Sequence, residues 1–245
     1  MSFHLAVFGA GLAAGFLNVM AGGGSLITLP ILLFLGLPVA VANGTNRVAI
    51  LAQNVAAVSS FRRQGYVEMR TGFFYALATI PGALVGAFAA TRVSDGLFRG
   101  ILAGVLALAV LGLVVPRRGR RQAGERVSTG RRAVALLGFV GIGFYGGFIQ
   151  AGVGFLLMLV LHQVLLHDLV RTNMHKVLIV LVFSVPALLV FVTTGNVDWV
   201  TGTVLAGGNV IGALVATRVS VTKGERPIRV VVAVALLLMA VRLVV

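Results

Sequence analysis

Two short glycine clusters hold the residues best suited to ligand chemistry: Ala21-Gly22-Gly23-Gly24-Ser25 and Ala151-Gly152-Val153-Gly154. Each joins two apolar stretches. Glycine tolerates positive φ and lets backbone approach closely. A helix that starts just after such a loop aims free N–H groups and a positive dipole end into the protein. Two such loops, reaching in from opposite membrane faces, would meet as an anion cradle near the midplane. Asn18 and Gln150 flank the loops and are expected to line the approach. The competing explanation is tight helix packing through small residues, common in membranes. With 32 glycines in the chain, packing is the better account of scattered ones such as Gly82, Gly86, Gly207 and Gly208. The two clusters stand apart because they occupy matched positions in an internal repeat.

A second pair of motifs follows the same logic. Asn43-Gly44-Thr45-Asn46-Arg47 is matched by Asn173-Met174-His175-Lys176. Asn and Thr cap helix starts, so one residue in each half is explained as an N-cap. Capping does not explain several polar residues together with a cation at both places. Arg47 and Lys176 could neutralise an anion or face lipid headgroups, and the sequence leaves both open. Gln53 and Asn54 lie deeper, where amides usually bond a neighbouring helix.

Absences narrow the chemistry further. The six acids are Glu68, Asp95, Glu125, Asp168, Asp198 and Glu225, and all fall in expected loops or at segment ends. No carboxylate is expected mid-membrane, where transporters usually keep one for a proton or a cation. Were a proton to be coupled, His162, His167 and His175 are the candidates. There is no cysteine, hence no thiolate nucleophile or thiol metal site. No Walker loop, His-Glu-x-x-His helix or nucleophile-elbow spacing occurs. The expectation is a protein that is not an enzyme and needs no cofactor.

The elements that must position these residues are membrane helices. The 245 residues are 59% hydrophobic and 11% charged, against about 25% charged in a soluble domain, and the mean hydropathy is +1.06. Long unbroken apolar runs argue against a transmembrane barrel. The net charge of +14 would suggest nucleic acid in a soluble chain. Here the cations lie between apolar runs, so they speak for topology, with the bilayer and not nucleic acid as partner. The N-terminus has no cationic start ahead of its apolar run, which argues against a cleaved signal.

Shifted by about 130 residues, the chain partly matches itself. Ala21-Gly22 falls on Ala151-Gly152, Asn43 on Asn173, Gly65 on Gly195, and Gly82-Ala83-Leu84-Val85 on Gly212-Ala213-Leu214-Val215. Each half holds five apolar stretches, near 4–21, 25–37, 44–61, 71–91 and 97–115, then 133–150, 154–167, 174–193, 200–217 and 229–245. The second stretch of each is too short to span simply, so the first two are expected to form a broken or re-entrant pair. The arginines between 117 and 132 mark a cytoplasmic linker. Arg47, Arg92 and Arg99 are exceptions on the outer side. An odd number of crossings in each half then makes the halves oppositely oriented, an architecture that puts transporter sites at the repeat interface. The expected organisation is a first transmembrane repeat at 1–115, an Arg-rich cytoplasmic linker at 116–132 and a second repeat at 133–245.

With these motifs the chain resembles the sulfite exporter TauE/SafE family of membrane proteins. The residues that carry the resemblance are Gly15-Phe16-Leu17-Asn18 through Gly22-Gly23-Gly24-Ser25, Pro30, Asn43-Gly44-Thr45-Asn46 and Gly82 to Gly86. In the second half they are Gly146-Gly147-Phe148, Gln150-Ala151-Gly152-Val153-Gly154 and Asn173. The resemblance implies an inner-membrane, multi-pass transporter of small sulfur-containing anions such as sulfite or organosulfonates, most simply an exporter. His175-Lys176 departs from the family pattern. Two function classes stand side by side: a secondary carrier or facilitator, and a non-transporting membrane subunit that assists a partner enzyme. A homodimer is compatible with either.

Overall fold

The computed structural model describes residues 2–66, 68–114 and 129–223, with 227 and 230. Most of the arginine linker and nearly all of the last apolar stretch, 229–245, lie outside the described residues. Among the described residues there is no strand. The first half folds as α1 (Ser2–Met20), α2 (Ser25–Phe34), α3 (Val39–Arg63), α4 (Met69–Ala90) and α5 (Asp95–Val114). The second folds as α6 (Thr129–Phe148), α7 (Val153–Met158) running into a π-helical turn (Leu159–Val164), α8 (Leu169–Thr193) and α9 (Trp199–Lys223). Helix α6 therefore takes in the last linker residues, Arg131 and Arg132.

Among the described residues, four helices are long and apolar enough to cross a membrane: α1, α4, α8 and α9. In lipid every backbone polar group must be satisfied within the protein, which is why the described residues are helical almost throughout. The short second stretches are short indeed. The ten residues of α2 span about 15 Å at 1.5 Å each, half of a hydrocarbon core. The counterpart, Val153–Val164, breaks from α to π geometry midway, and Leu166 just beyond it has φ of 59°.

Helix ends recur between the halves. After α3, Gly65 N–H bonds Arg62 O and Tyr66 N–H bonds Phe61 O, both at 3.1 Å. After α8, Gly195 N–H bonds Val192 O at 3.1 Å and Asn196 N–H bonds Phe191 O at 2.8 Å. Both are Schellman closures, and they satisfy carbonyls that lipid could not.

The contacts between helices also pair up between the halves. Helix α1 packs on α9 and α4 on α6; α3 packs on α9 and α8 on α4; α3 and α8 pack on each other. Exchanging α1 with α6, α4 with α9, and α3 with α8 turns each of these contacts into another of the set or into itself. Small residues hold the two outer seams. Gly82 and Gly86 lie against the backbone of Val140 to Phe148, and Gly208 and Gly212 against that of Phe8 to Phe16. Packing is thus the role of these glycines, with Gly207 resting on the Phe8 ring.

The N-cap expectation for Asn43 and Asn173 is overturned. Helix α3 begins earlier, with Pro38 as its N-cap, and α8 begins at Asp168, whose carboxylate accepts from Arg171 N–H at 2.9 Å. Proline and aspartate already serve as the starts, so both asparagines lie inside helices and their amides are free to reach across to other elements.

Candidate functional site

The two glycine loops touch. Gly22 has φ of 85° and lies directly against Gly154, so a Cβ on either would overlap the other's Cα. Only glycine allows backbone to cross backbone this closely. Gly152, with φ of 72°, is the N-cap of α7, and Gly24 is that of α2; no side chain caps either start. Gly23 abuts the Phe155 ring, and Gly24 fits between Ala14 and Asn18. Ser25 is buried, as is Gln150, whose amide donates to Ser184 Oγ at 3.1 Å. The clusters expected to meet therefore do so, at the crossing of the halves.

A buried cation flanks each loop. Arg47 is fully buried on α3. Its Nη2 donates to the Gly147 carbonyl and, at 3.4 Å, to Asn43 Oδ1. The Asn43 amide donates to Phe148 O at 2.7 Å. Lys176, on α8, donates from Nζ to Val19 O at 2.7 Å and to Asn173 Oδ1 at 2.8 Å. Gly147 and Phe148 end α6, and Val19 lies in the last turn of α1. The last carbonyls of a helix lack intrahelical partners and carry the negative dipole end, so a cation there is stabilising. Residues of each half thus close the helix end that leads into the glycine loop of the other half.

Neither cation faces headgroups, as the sequence had allowed. Arg47 is accordingly no exception to the loop-charge pattern, since it lies in the interior. The guanidinium carbon also sits 4.8 Å from the centre of the Phe191 ring, a cation–π contact. Among the described residues no carboxylate forms an ion pair with Arg47 or Lys176. Buried donors remain unspent around them: Arg47 Nε and Nη1, Asn46 Nδ2 and Asn173 Nδ2. Leaving such a donor unmet costs about 1–3 kcal/mol, more when it is charged. Donors of this kind are the ones that charge-assisted hydrogen bonds to an oxyanion use.

The family model described as Sulfite exporter TauE/SafE matches residues 7–243. The chain belongs to that family. It is 28% identical to a probable membrane transporter protein of Haemophilus influenzae, over 97% of this chain and 93% of that one. It is 30% identical to the probable membrane transporter protein ORF9 of a Sinorhizobium species, over 99% and 94% respectively. It is 27% identical to the probable membrane transporter protein YfcA of Escherichia coli K12, over 97% and 88%. No solved structure matches. The chain is therefore a multi-pass membrane protein of a transporter family, and its relatives carry names of transporters and not of enzymes.

Not every candidate of this TauE/SafE chain joins the glycine crossing. Thr45 accepts from Asp198 N–H at 2.9 Å and so faces the α8–α9 loop. The Asp198 carboxyl, held below its ordinary range chiefly by the Thr201 hydroxyl, caps α9. His175 turns away from Lys176's partners toward Glu68, His167 and Tyr75. Asn54 donates to Ile50 O of its own helix at 2.7 Å.

Sequence reasoning missed Thr28, whose hydroxyl donates to Asn46 Oδ1 at 2.6 Å and so ties α2 to α3. It missed Tyr145, whose hydroxyl donates to the Ala151 carbonyl and pins the second loop. Thr28 was findable, one turn after Ser25 on the short helix. Ser184, one of three hydroxyl residues in the most apolar span, gave a weaker signal of its role at Gln150.

Proposed function

We propose that the chain is a secondary carrier or facilitator that moves a small anion, sulfite or an organosulfonate, outward across the bacterial inner membrane. The observation that carries this reading is the pair of buried cations beside the crossing loops, with no carboxylate partner among the described residues and with amide and guanidinium donors unspent. An oxyanion offers several acceptor oxygens and a compensating charge, which is what Asn46, Arg47 and Asn173 lack. The ligand then sits beside the Gly22–Gly154 crossing, with Asn18, Gly23, Gly24, Ser25, Asn43, Gln150, Gly152 and Lys176 shaping and supporting the site.

In this reading the chain is two inverted repeats, 1–115 and 133–245, with both termini outside and the arginine linker inside. The exchange pattern of the helix contacts and the loop cations support it. A negative interior favours anion exit, which gives export as the direction. The test is flux of labelled sulfite in proteoliposomes under an imposed potential. Potential-driven, anion-selective flux is the expected result, and cation-selective flux would overturn the proposal.

A further inference from the structure

The two ends of the helix core are built differently. Where the α3–α4 loop meets the start of α8 there is a cavity of about 410 Å3, lined by Gly65, Tyr66, Glu68, Arg171 and Met174. Glu68 Oε1 lies 3.4 Å from Arg171 Nη2, and Glu68 Oε2 lies 3.6 Å from His175 Nε2. The Arg171 pair therefore ties the loop to α8, while His175 Nε2 has no hydrogen-bond partner. Arg171 is held on its other side by Asp168, at 3.3 Å. Both Arg171 and Glu68 are about half exposed. Met174, by contrast, is buried and packs in one apolar cluster with Val19, Met20, Val170 and Phe61. The Val19 carbonyl of that cluster holds Lys176 Nζ. The cavity thus reaches Met174, the residue next to Asn173 on α8.

At the opposite end the same positions are closed. Asp198 matches Glu68 in the repeat, but its carboxylate turns back onto Val200 N–H, Thr201 N–H and the Thr201 hydroxyl. Gly44 is pressed against the Asn196 carbonyl, and Thr45 accepts from Asp198 N–H. Val41 stands where the repeat would put an arginine to match Arg171.

We propose that the cavity is the vestibule through which a small oxyanion reaches the crossing site, with Arg171 as its first cationic contact and Glu68 as the latch that the anion displaces. The inference rests on the anion-carrier reading above. A guanidinium pairs with a sulfonate as it does with a carboxylate, through parallel N–H bonds. An exposed ion pair is weak, so an arriving anion competes with Glu68 for Arg171 on nearly equal terms. A cavity of 410 Å3 has room for such an ion with several of its waters, at about 30 Å3 each.

The chain has no cysteine, so single thiols report cleanly. Met174→Cys probes the cavity floor and Tyr66→Cys its rim, with a membrane-impermeant thiol reagent applied to either face of sealed vesicles. Isethionate serves as the test sulfonate and gluconate as the control anion. Position 174 should label only from the face that bears the α3–α4 loop. Adding Glu68→Gln should speed that labelling about two- to fivefold, the factor that an exposed ion pair is worth. Isethionate should slow labelling, and Arg171→Gln should abolish the slowing. Floor labelling that ignores both Glu68→Gln and isethionate, or protection that survives Arg171→Gln, overturns the vestibule. If Met174→Cys does not fold, isethionate protection at Tyr66→Cys and its dependence on Arg171 give the same decision. Sulfite flux measured in wild-type vesicles separates the two readings: its absence defeats the carrier, while Arg171-dependent protection still decides the vestibule.

Discussion

Helices α3 and α8 occupy equivalent places in the two halves, yet their cations are held differently. On α8 the Lys176 ammonium meets two acceptors, Val19 O and Asn173 Oδ1, at ordinary distances. On α3 Arg47 closes the end of α6 with one nitrogen and rests on Phe191, while Nε and Nη1 find nothing. The spacing differs too. Arg47 follows Asn43 by four residues and Lys176 follows Asn173 by three, and both remain neighbours on one helix face. The difference teaches that closing a helix end and receiving a ligand are separable tasks. Lysine spends two of its three N–H groups on the first. Arginine, with five donors in a fixed fork, can do both.

That contrast can be broken by substitution. The largest effect belongs to Arg47→Met, which removes the buried cation whose donors are unspent. A charge-assisted bond of about 1.5–3 kcal/mol makes the expected loss of sulfite flux roughly 10- to 150-fold. Next come Asn43→Ala and Asn173→Ala, each expected to lower flux about tenfold, one lost amide contact near a charge. Asp168→Asn and Glu68→Gln should cost less than either, because both carboxylates lie outside the crossing. Lys176→Met should reduce flux only about fivefold, since it mainly loosens the end of α1. A loss equal to that of Arg47→Met would show the two sides to be equivalent and erase the contrast. The smallest effect is expected for Thr28→Val, which releases Asn46 and should lower flux about two- to threefold. Restored flux in a Thr28→Ser variant would tie the effect to the hydroxyl.

Much of this was legible in the sequence because membranes impose few solutions. Apolar run lengths gave the helices, and the short second stretches gave α2 and the broken α7. The glycine clusters identified themselves by matched position, and their contact follows from having no Cβ to keep them apart. Other features were opaque for physical reasons. Helix α3 is not among the candidate spans by apolar composition, since its polar residues bury against protein and not lipid. Its start was missed because Pro38 and not Asn43 opens it, and a polar residue looks the same in a cap as in a buried network. The roles of Arg47 and Lys176 depend on carbonyls of the opposite half, at least 100 residues away in sequence. No local pattern reports such partners. His175 read as part of the Lys176 motif, but adjacent residues on a helix point about 100° apart, so it serves a different face.

The central claim is that a buried guanidinium at the crossing of the halves receives the transported anion. Its most direct measurement is labelled sulfite uptake by proteoliposomes, with and without an imposed membrane potential, for wild type and Arg47→Met side by side. The account predicts wild-type flux that responds to potential with the sign of an anion, and loss of most of that flux in Arg47→Met while the variant still folds. Full flux in Arg47→Met, or wild-type flux with the sign of a cation, would contradict it.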